Sequence, residues 1–335
     1  MKVKSLSLVT TYKCTASCAN CCFECNPNRS EKMPLNIAKK YIDEVISVFN
    51  EIEVVVLTGG ECFIDLPYLI SLINYIADKE LICRVVTNAF WAKTKDAAIS
   101  VLKRCKNAGL AELNISTGDE HQIFIPFENI KNVIHAATAL DILTVVNVES
   151  GSRRNFGVNN ILQDEDVKLI LHGNKNIKLH IAPGLWMPFT EESLSLFRNK
   201  KENVPYFLKE RCHNIFNGIT ISPEGKMLSC CGLPVLYIPY FNLGDLEFGN
   251  LYNQYIAQFD DFLKIWLFVS GPWKILSFIG EKLNIDIPEC HVIAHTCFYC
   301  ACIFTNPLYL NAAKKYYGEV YSIVMLKFSF LIRQL

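Results

Sequence analysis

The sequence predicts an α/β protein with a large N-terminal part built on a parallel sheet and a smaller C-terminal part of different architecture. From Ser5 to about Pro183, short apolar runs alternate with amphipathic stretches, as expected for successive βα units. After about Trp186 this alternation gives way to a helix-like stretch (190–199), a hairpin and a helical tail. The 335 residues suffice for two domains, which we expect at 1–188 and 189–335.

Six strand-like runs support the parallel sheet. They are 5–10, 53–58, 82–87, 112–116, 143–148 and 177–182. Between the first two, Ile37, Tyr41, Val45 and Phe49 recur at every fourth residue, which predicts an amphipathic helix. Crossovers through such helices are right-handed and make the strands parallel.

Charge and cysteine content exclude some classes of protein. The 33 basic and 33 acidic residues cancel, so no electrostatic argument favours a nucleic-acid partner. Fifteen cysteines are an odd number and read better as iron–sulfur ligands and buried thiols than as a full set of disulfides. The N-terminus enters a strand without a signal-peptide pattern, so we expect a cytoplasmic protein.

The most hydrophobic stretch, 262–279, predicts two packed helices and no transmembrane segment. It contains Lys264, Lys274 and the pair Gly271-Pro272, and therefore falls short of an uninterrupted span of about 20 apolar residues. Because 51% of the chain is hydrophobic, the sequence does not exclude contact with an apolar partner or a membrane surface.

Cys14, Cys18 and Cys21 follow the first strand with the spacing C-x3-C-x2-C. Three thiolates this close can hold three corners of a [4Fe–4S] cluster and leave one iron without a protein ligand. An open position of this kind is typical of a catalytic metal site. The alternative is a zinc knuckle, in which Cys22 or Cys25 would supply the fourth ligand.

A second motif, Thr58-Gly59-Gly60-Glu61, ends an apolar run that we interpret as a buried strand. Two glycines let the backbone approach a ligand closely, and exposed amides with Glu61 suit an amino-acid head group. Alone, Gly-Gly-Glu is a common turn, and it gains weight here because it follows the cysteine triad by one βα unit.

A second set of cysteines lies in the last third of the chain: Cys212, Cys230, Cys231, Cys297, Cys300 and Cys302. The predicted hairpin, with its turn at 223–226, brings Cys212 near the Cys230-Cys231 pair. We predict an auxiliary [4Fe–4S] cluster whose ligands are Cys212, Cys230, Cys297 and Cys300. Cys302 in place of Cys300, Cys231 in place of Cys230, and a zinc site that includes His291 and His295 remain alternatives. We expect the other thiols, Cys62, Cys83 and Cys105, to be core residues.

The cysteine triad, Phe23 and the Gly-Gly-Glu motif together resemble the radical SAM superfamily. Through most of its length the chain resembles radical SAM peptide epimerases of the YydG type. The matching pieces are Cys14-x3-Cys18-x2-Cys21-Cys22-Phe23, the segments 58–65 and 87–91, Ile115-Ser116 with His121, Cys212, the Gly225 turn into Cys230-Cys231, and Cys297-x2-Cys300. The resemblance implies a partial (β/α)6 TIM-like barrel followed by a smaller SPASM/Twitch-like domain for the auxiliary cluster and the peptide.

The resemblance also implies the chemistry. S-adenosylmethionine (SAM) would bind the open iron, with its amino group at Gly59, Gly60 and Glu61, and reductive cleavage would yield a 5'-deoxyadenosyl radical. This radical would abstract a Cα hydrogen from a ribosomally made precursor peptide, and the thiol that maps onto Cys231 would return a hydrogen to the opposite face. An electron donor such as flavodoxin or ferredoxin is the implied second partner. The chain departs from the family pattern at 116–119 and in its additional Cys25, Cys290 and Cys302.

Polar residues at strand ends are further candidates. Asn88 and Ser116 could bond the SAM ribose or carboxylate, or act as helix N-caps. Asp119, His121 and Asn147 lie at the same predicted edge. The alternative functions are a peptide cyclase that forms thioether or carbon–carbon crosslinks, and a non-enzymatic metal-binding interaction protein.

Overall fold

A computed structural model of the chain describes residues 3–150, 155–173, 177–185, 206–287 and 295–332. Within these ranges nine strands form one sheet in the order β6-β5-β4-β3-β2-β1-β7-β8-β9. The strands are β1 (Ser5–Thr11), β2 (Val54–Gly59), β3 (Ile82–Thr87), β4 (Leu110–Thr117), β5 (Leu143–Ser150), β6 (Leu179–Leu185), β7 (Gly218–Ile221), β8 (Lys226–Leu228) and β9 (Asn242–Asp245).

Strands β1 to β6 are parallel neighbours in chain order, which confirms the predicted α/β fold. The helices that connect them are α1 (Leu35–Val48), α2 (Leu66–Ala77), α3 (Lys95–Asn107), α4 (Asp119–Gln122), α5 (Phe127–Ala139), α6 (Val158–Gln163) and α7 (Glu165–Gly173). In α1 the predicted apolar face is the buried one, since Ala38, Tyr41, Ile42 and Val45 pack into the core. All six carboxyl ends therefore lie at one edge of the sheet.

The predicted hairpin is present, because β7 and β8 pair antiparallel and Thr220 lies opposite Leu228. Its position was not predicted. β7 pairs parallel with β1, and Ser5 lies opposite Gly218, so the hairpin extends the main sheet. The end of β7 consequently lies beside the end of β1, where the first cysteine triad begins.

The rest of the C-terminal part is helical and has its own apolar core. Its helices are α8 (Leu251–Ile256), α9 (Phe262–Ser270), α10 (Pro272–Leu283), α11 (Cys297–Thr305), α12 (Pro307–Tyr316) and α13 (Tyr321–Leu331). Phe216, Trp266, Leu276, Tyr299 and Phe328 are among the side chains buried in this second core. The predicted helix-like stretch 190–199 lies outside the described residues.

The hydrophobic stretch 262–279 forms two helices, as predicted. α9 and α10 meet at 111°, at the break that Gly271 and Pro272 introduce. Among the described residues no single helix is long and apolar enough to cross a membrane, although this bent pair has the length and composition to do so. Most of α9 is buried in the second core, including Leu263, Trp266 and Phe268.

Candidate active site

The triad Cys14, Cys18 and Cys21 lies on a loop that leaves β1 at the carboxyl edge of the sheet. A cavity of about 130 Å³ opens against this loop. Its walls bring together seven of the predicted residues: Cys14, Cys18, Cys21, Gly59, Gly60, Asn88 and Ser116. His121, Cys22 and Phe23 line the same cavity. Residues from the ends of β2, β3 and β4, from α4 and from the cysteine loop therefore meet at one small space.

Backbone and side-chain N–H groups already point at the triad sulfurs. The Ala16 amide lies 3.4 Å from Cys14 Sγ, and the Cys25 amide lies 3.4 Å from Cys21 Sγ. Asn88 Nδ2 donates to Cys14 Sγ at 3.5 Å. Hydrogen bonds to sulfur stabilise thiolate ligands and tune the potential of an iron–sulfur cluster, so this donor set fits a cluster bound by three thiolates.

The three thiols differ in acidity because their surroundings differ. A hydrogen bond from Cys25 lowers the pKa of Cys21 to about 6. Burial raises the pKa of Cys14 to about 11 and also raises that of Cys18. Metal ligands bind as thiolates, so loading this site releases protons, chiefly from Cys14 and Cys18.

The described residues do not bring any three His, Cys, Asp or Glu side chains close enough to hold a single metal ion. A zinc site needs four ligands around one ion. The cysteines of a cubane cluster each bind a different iron and lie farther apart.

Gly59 and Gly60 are required by a close approach of two chain segments. A Cβ atom at Gly59 would lie 2.3 Å from the Thr11 carbonyl oxygen, and one at Gly60 would lie 2.1 Å from that of Lys13. The Gly60 amide donates to Thr11 at 2.7 Å, and the Glu61 amide donates to Lys13 at 2.9 Å. The motif thus fixes the start of the cysteine loop against β2.

Glu61 is fully buried, and its carboxylate is held by the protein itself. Oε1 accepts from the Phe63 amide at 3.0 Å and from Thr87 Oγ1 at 2.8 Å, and Oε2 accepts from the Asn88 amide at 2.7 Å. Burial raises the pKa of Glu61 to about 7. These bonds tie the ends of β2 and β3 together, while a direct contact between Glu61 and a ligand stays a prediction.

Asn88 links the hydrogen bonds around Glu61 to the cysteine triad. Its Nδ2 donates to Thr15 Oγ1 at 3.2 Å in addition to Cys14 Sγ, and its Oδ1 accepts from the Phe90 amide at 3.0 Å. Ser116 lines the cavity from β4. The Asp119 side chain binds a backbone amide, because its Oδ1 accepts a hydrogen bond from the Phe156 amide at 2.8 Å. Asn147 lies within β5 and bonds Asn114 at 3.3 Å.

Glu149, at the end of β5, is a site residue that the sequence did not single out. Its side chain is fully buried, and it accepts hydrogen bonds from Asn20 Nδ2 and, at 3.1 Å, from the Glu120 amide. His121 Nδ1 lies 3.9 Å from Oε2 of the same carboxylate. Because Asn20 stands between Cys18 and Cys21, Glu149 anchors the cysteine loop to β5. The available signal was a charged residue at the end of an apolar strand.

The C-terminal cysteines come together around Gly232. A Cβ atom there would lie 3.3 Å from Cys230 Sγ and 3.4 Å from Cys297 Sγ. Burial, followed by the nearby thiols Cys297, Cys212 and Cys230, raises the pKa of Cys300. The four predicted auxiliary ligands are therefore neighbours, and the absent side chain at Gly232 leaves room between two of them. Four such thiols fit a [4Fe–4S] cluster.

Cys231 differs from its neighbour in exposure, since Cys230 is buried and Cys231 is exposed. β8 ends at Leu228, two residues before the pair, so Cys230 and Cys231 lie in an irregular segment and not in the strand. Cys302 is half-buried, and the Cys297 amide donates to His295 Nδ1 at 3.1 Å. Cys290 and His291 lie outside the described residues.

Cys22 lies between the two sets of cysteines. It lines the cavity of the first triad. Burial and then the charges of Cys21 and Cys297 raise the pKa of its thiol, so it is close enough to both to interact electrostatically. Leu236, which follows the Cys230-Cys231 pair, packs against the apolar cluster that contains Cys14 and Cys25, so the cysteine loop and the segment after the pair meet in the fold.

Comparison with known proteins gives a match to one superfamily. Residues 8–149 match the model of the radical SAM superfamily. The matched segment runs from β1 to β5 and contains the triad and the glycine motif, the two motifs from which the resemblance to this superfamily was predicted.

The chain is similar over nearly its whole length to YydG of Bacillus subtilis (strain 168), a protein proposed to act in peptide biosynthesis. The two are 24% identical over 336 residues, which make up 96% of this chain and 99% of YydG. The solved structure of anSMEcpe with bound AdoMet and the Cp18Cys peptide has a TM-score of 0.50 at 11% identity, covering 98% of this chain and 99% of that one. This structural likeness supports the radical SAM fold.

Proposed function

We propose that this chain is a radical SAM peptide epimerase, which converts L-residues of a ribosomally made precursor peptide into D-residues. The observation that carries the proposal is Cys231, which follows the buried Cys230 at the cysteines around Gly232 and is itself an exposed residue. Burial raises the pKa of its thiol. The similarity to YydG over almost the whole chain supports a peptide as the substrate.

In this proposal Cys14, Cys18 and Cys21 bind the first cluster, while Gly59, Gly60, Asn88 and Ser116 surround SAM in the adjoining cavity. When bound, the cluster and SAM together supply a carbon radical that removes a Cα hydrogen from the peptide. Glu61 and Glu149 act indirectly. The first holds the ends of β2 and β3, and the second holds the cysteine loop, so that the groups around SAM are preorganised.

A second cavity, of about 440 Å³, gives the peptide a place to bind. Phe23 lines both cavities, so the larger one adjoins the first triad directly. Its walls come from the cysteine loop and from the hairpin region, and they include Glu224, whose Oε2 accepts from Ser222 Oγ at 2.7 Å and from Tyr12 at 3.4 Å. The lining is mixed: Phe23, Val235 and Ile238 are apolar, while Glu24, Arg29, Lys226 and Asn242 are polar or charged, so the cavity suits a ligand such as a peptide that carries both kinds of group.

Cys231 completes the reaction. The S–H bond of Cys231 breaks homolytically, and its hydrogen atom forms the new Cα–H bond on the opposite face of the residue. The sulfur radical that remains on Cys231 then takes up one electron and one proton to become a thiol again. An external donor such as flavodoxin or ferredoxin would supply this electron. Cys212, Cys230, Cys297 and Cys300 would hold the auxiliary [4Fe–4S] cluster, which would supply electron-transfer chemistry next to Cys231.

The test uses the anaerobically reconstituted protein, SAM, a chemical reductant and a synthetic peptide that is encoded beside the gene, all in heavy water. Epimerisation adds one deuteron at each modified residue and changes its chirality, whereas crosslinking removes two hydrogens. We expect the deuterated product with a D-residue. A loss of two mass units without solvent deuterium would instead make the enzyme a cyclase, and no SAM cleavage would make it a non-enzymatic binding protein.

Cys231→Ala is the decisive variant, and Cys105→Ala, which removes a buried core thiol, is its matched control. Cys231→Ala should retain both clusters and SAM cleavage but form no D-residue, because its substrate radical has no hydrogen donor on the opposite face. Cys105→Ala should behave as the natural protein does. Normal epimerisation by Cys231→Ala, or loss of its auxiliary cluster, would contradict the donor role.

A further inference from the structure

The last helix, α13, is apolar on two opposite faces. Val324 and Phe328, spaced i and i+4, are buried in the second core with 3% and 8% exposure. Ile323, Leu326 and Phe330 lie on the other side and are 55%, 58% and 60% exposed. Their spacing of i, i+3 and i+7 places these three on one stripe. A helix that is apolar all round is normally covered on all sides, so the exposed stripe needs a partner.

The sequence around this stripe is basic, although the whole chain has a net charge of zero. Between 314 and 335 the charged residues are Lys314, Lys315, Lys327 and Arg333, against Glu319 alone. Glu319 is already paired with Lys282 at 2.5 Å. Lys314, Lys315 and Lys327 are exposed, and Lys327 follows Leu326 directly in the stripe region. A partner that covers the stripe therefore has to offer both an apolar surface and negative charge.

The length of α13 limits how this helix can bind such a partner. Its eleven residues form a helix of roughly 16 Å at 1.5 Å per residue, about half the thickness of a bilayer core. A helix this short cannot span a membrane. An exposed apolar face with basic residues beside it is the pattern of a helix that lies in the plane of an anionic membrane surface.

We propose that the stripe Ile323–Leu326–Phe330 docks the protein onto an anionic lipid surface. The three side chains enter the boundary between headgroups and acyl chains, while Lys327, which lies on the same helix next to Leu326, contacts the headgroups through its long stem. A second copy of the chain fits less well, because a twofold contact through this stripe would bring Lys327 close to its own copy. Three apolar side chains and one lysine give weak and reversible binding.

The test is co-sedimentation of the full-length, cluster-loaded protein with vesicles. One set contains equal parts of phosphatidylcholine and phosphatidylglycerol, and the other contains phosphatidylcholine alone. We expect binding to the anionic vesicles that weakens as salt is added, and little binding to the neutral ones. Leu326→Glu with Phe330→Glu should weaken the binding by roughly tenfold or more, because it removes two apolar anchors and adds repulsion.

The matched control is Leu169→Glu in α7, which places the same charge at a leucine that is 72% exposed and far along the chain from the stripe. It should bind anionic vesicles as the natural protein does. Equal losses in both variants, or no vesicle binding by the natural protein, would overturn the proposal. Sedimentation velocity supplies the other contrary outcome: a dimer that Leu326→Glu dissociates would assign the stripe to a second copy. SAM cleavage in solution should be the same for all these proteins.

Discussion

The two cysteine sets of this protein are assembled in opposite ways. Cys14, Cys18 and Cys21 belong to one loop of eight residues, which Gly60 and Glu149 fix against strand ends. Cys212, Cys230, Cys297 and Cys300 come from three separate segments: a loop before β7, the segment after β8, and helix α11. The first set therefore depends on a rigid parallel sheet, and the second depends on correct packing of a separate core. Each set should respond to its own substitutions.

The largest effect is expected when the triad itself is removed. Cys14→Ala with Cys18→Ala and Cys21→Ala should abolish formation of 5'-deoxyadenosine, because no thiolate is left to bind the first cluster. The same protein should keep about four irons and a [4Fe–4S] spectrum from the C-terminal set. Iron analysis, electron paramagnetic resonance and chromatography of the nucleoside measure these results.

The reciprocal variant, Cys297→Ala with Cys300→Ala, is the control, and it should lose the C-terminal iron while the first cluster survives. Loss of all iron in the first variant would contradict the independence of the two sets.

Gly60→Ala should have the next largest effect. The new Cβ would lie 2.1 Å from the Lys13 carbonyl oxygen, so the backbone at the start of the cysteine loop has to move. We expect a loss of about 3 kcal/mol in the free energy of unfolding, with less iron at the first site and an unchanged second site. Urea denaturation and iron analysis measure both.

Gly173→Ala is the matched control, since no atom lies within 4 Å of the position its Cβ would take. Equal behaviour of the two alanine variants would show that the close approach at Gly60 does not constrain the loop.

Glu149→Gln should have an intermediate effect that is confined to the first site. A glutamine offers one acceptor where the carboxylate has two, so it cannot satisfy both Asn20 and the Glu120 amide. We expect a cost of about 1 to 3 kcal/mol and faster removal of the first cluster by a chelator.

Glu112→Gln serves as the control, because Glu112 bonds Arg84 Nη2 at 2.8 Å near the beginning of β4 and away from the cysteine loop. It should change stability without changing the rate of iron loss. Equal chelation rates in the two variants would contradict the anchoring role of Glu149.

Gly232→Ala should have the smallest effect. The new Cβ would contact Cys230 Sγ at 3.3 Å and Cys297 Sγ at 3.4 Å, and two side-chain sulfurs yield more easily than backbone. We expect a change in free energy of unfolding of about 1 kcal/mol or less and an altered spectrum of the second cluster, with SAM cleavage unchanged. A loss as large as that in Gly60→Ala, or an altered first cluster, would contradict the contrast between the two sets.

The sequence by itself determined the parts of this protein that depend on neighbouring residues. The six parallel strands, the bend at Gly271-Pro272 and the hairpin turn at 223–226 were all predicted, because periodicity and turn residues act over a few positions. The triad spacing and the glycine motif indicated the resemblance to the radical SAM superfamily, whose model residues 8–149 match, for the same reason. Both lie within single short segments.

The tertiary structure alone decided which distant segments meet. Nothing in the pattern of β7 indicated that it would pair with β1, and nothing around Val148-Glu149 indicated that its carboxylate would hold Asn20, which lies 129 residues away. The packing of Leu236 against the apolar cluster that contains Cys14 is a contact of the same kind. Such contacts result from the packing of whole elements, in which many sequence-distant pairs compete. Local spacing therefore indicated the candidate ligands of the first site, and only the fold revealed which residues hold the cysteine loop in place.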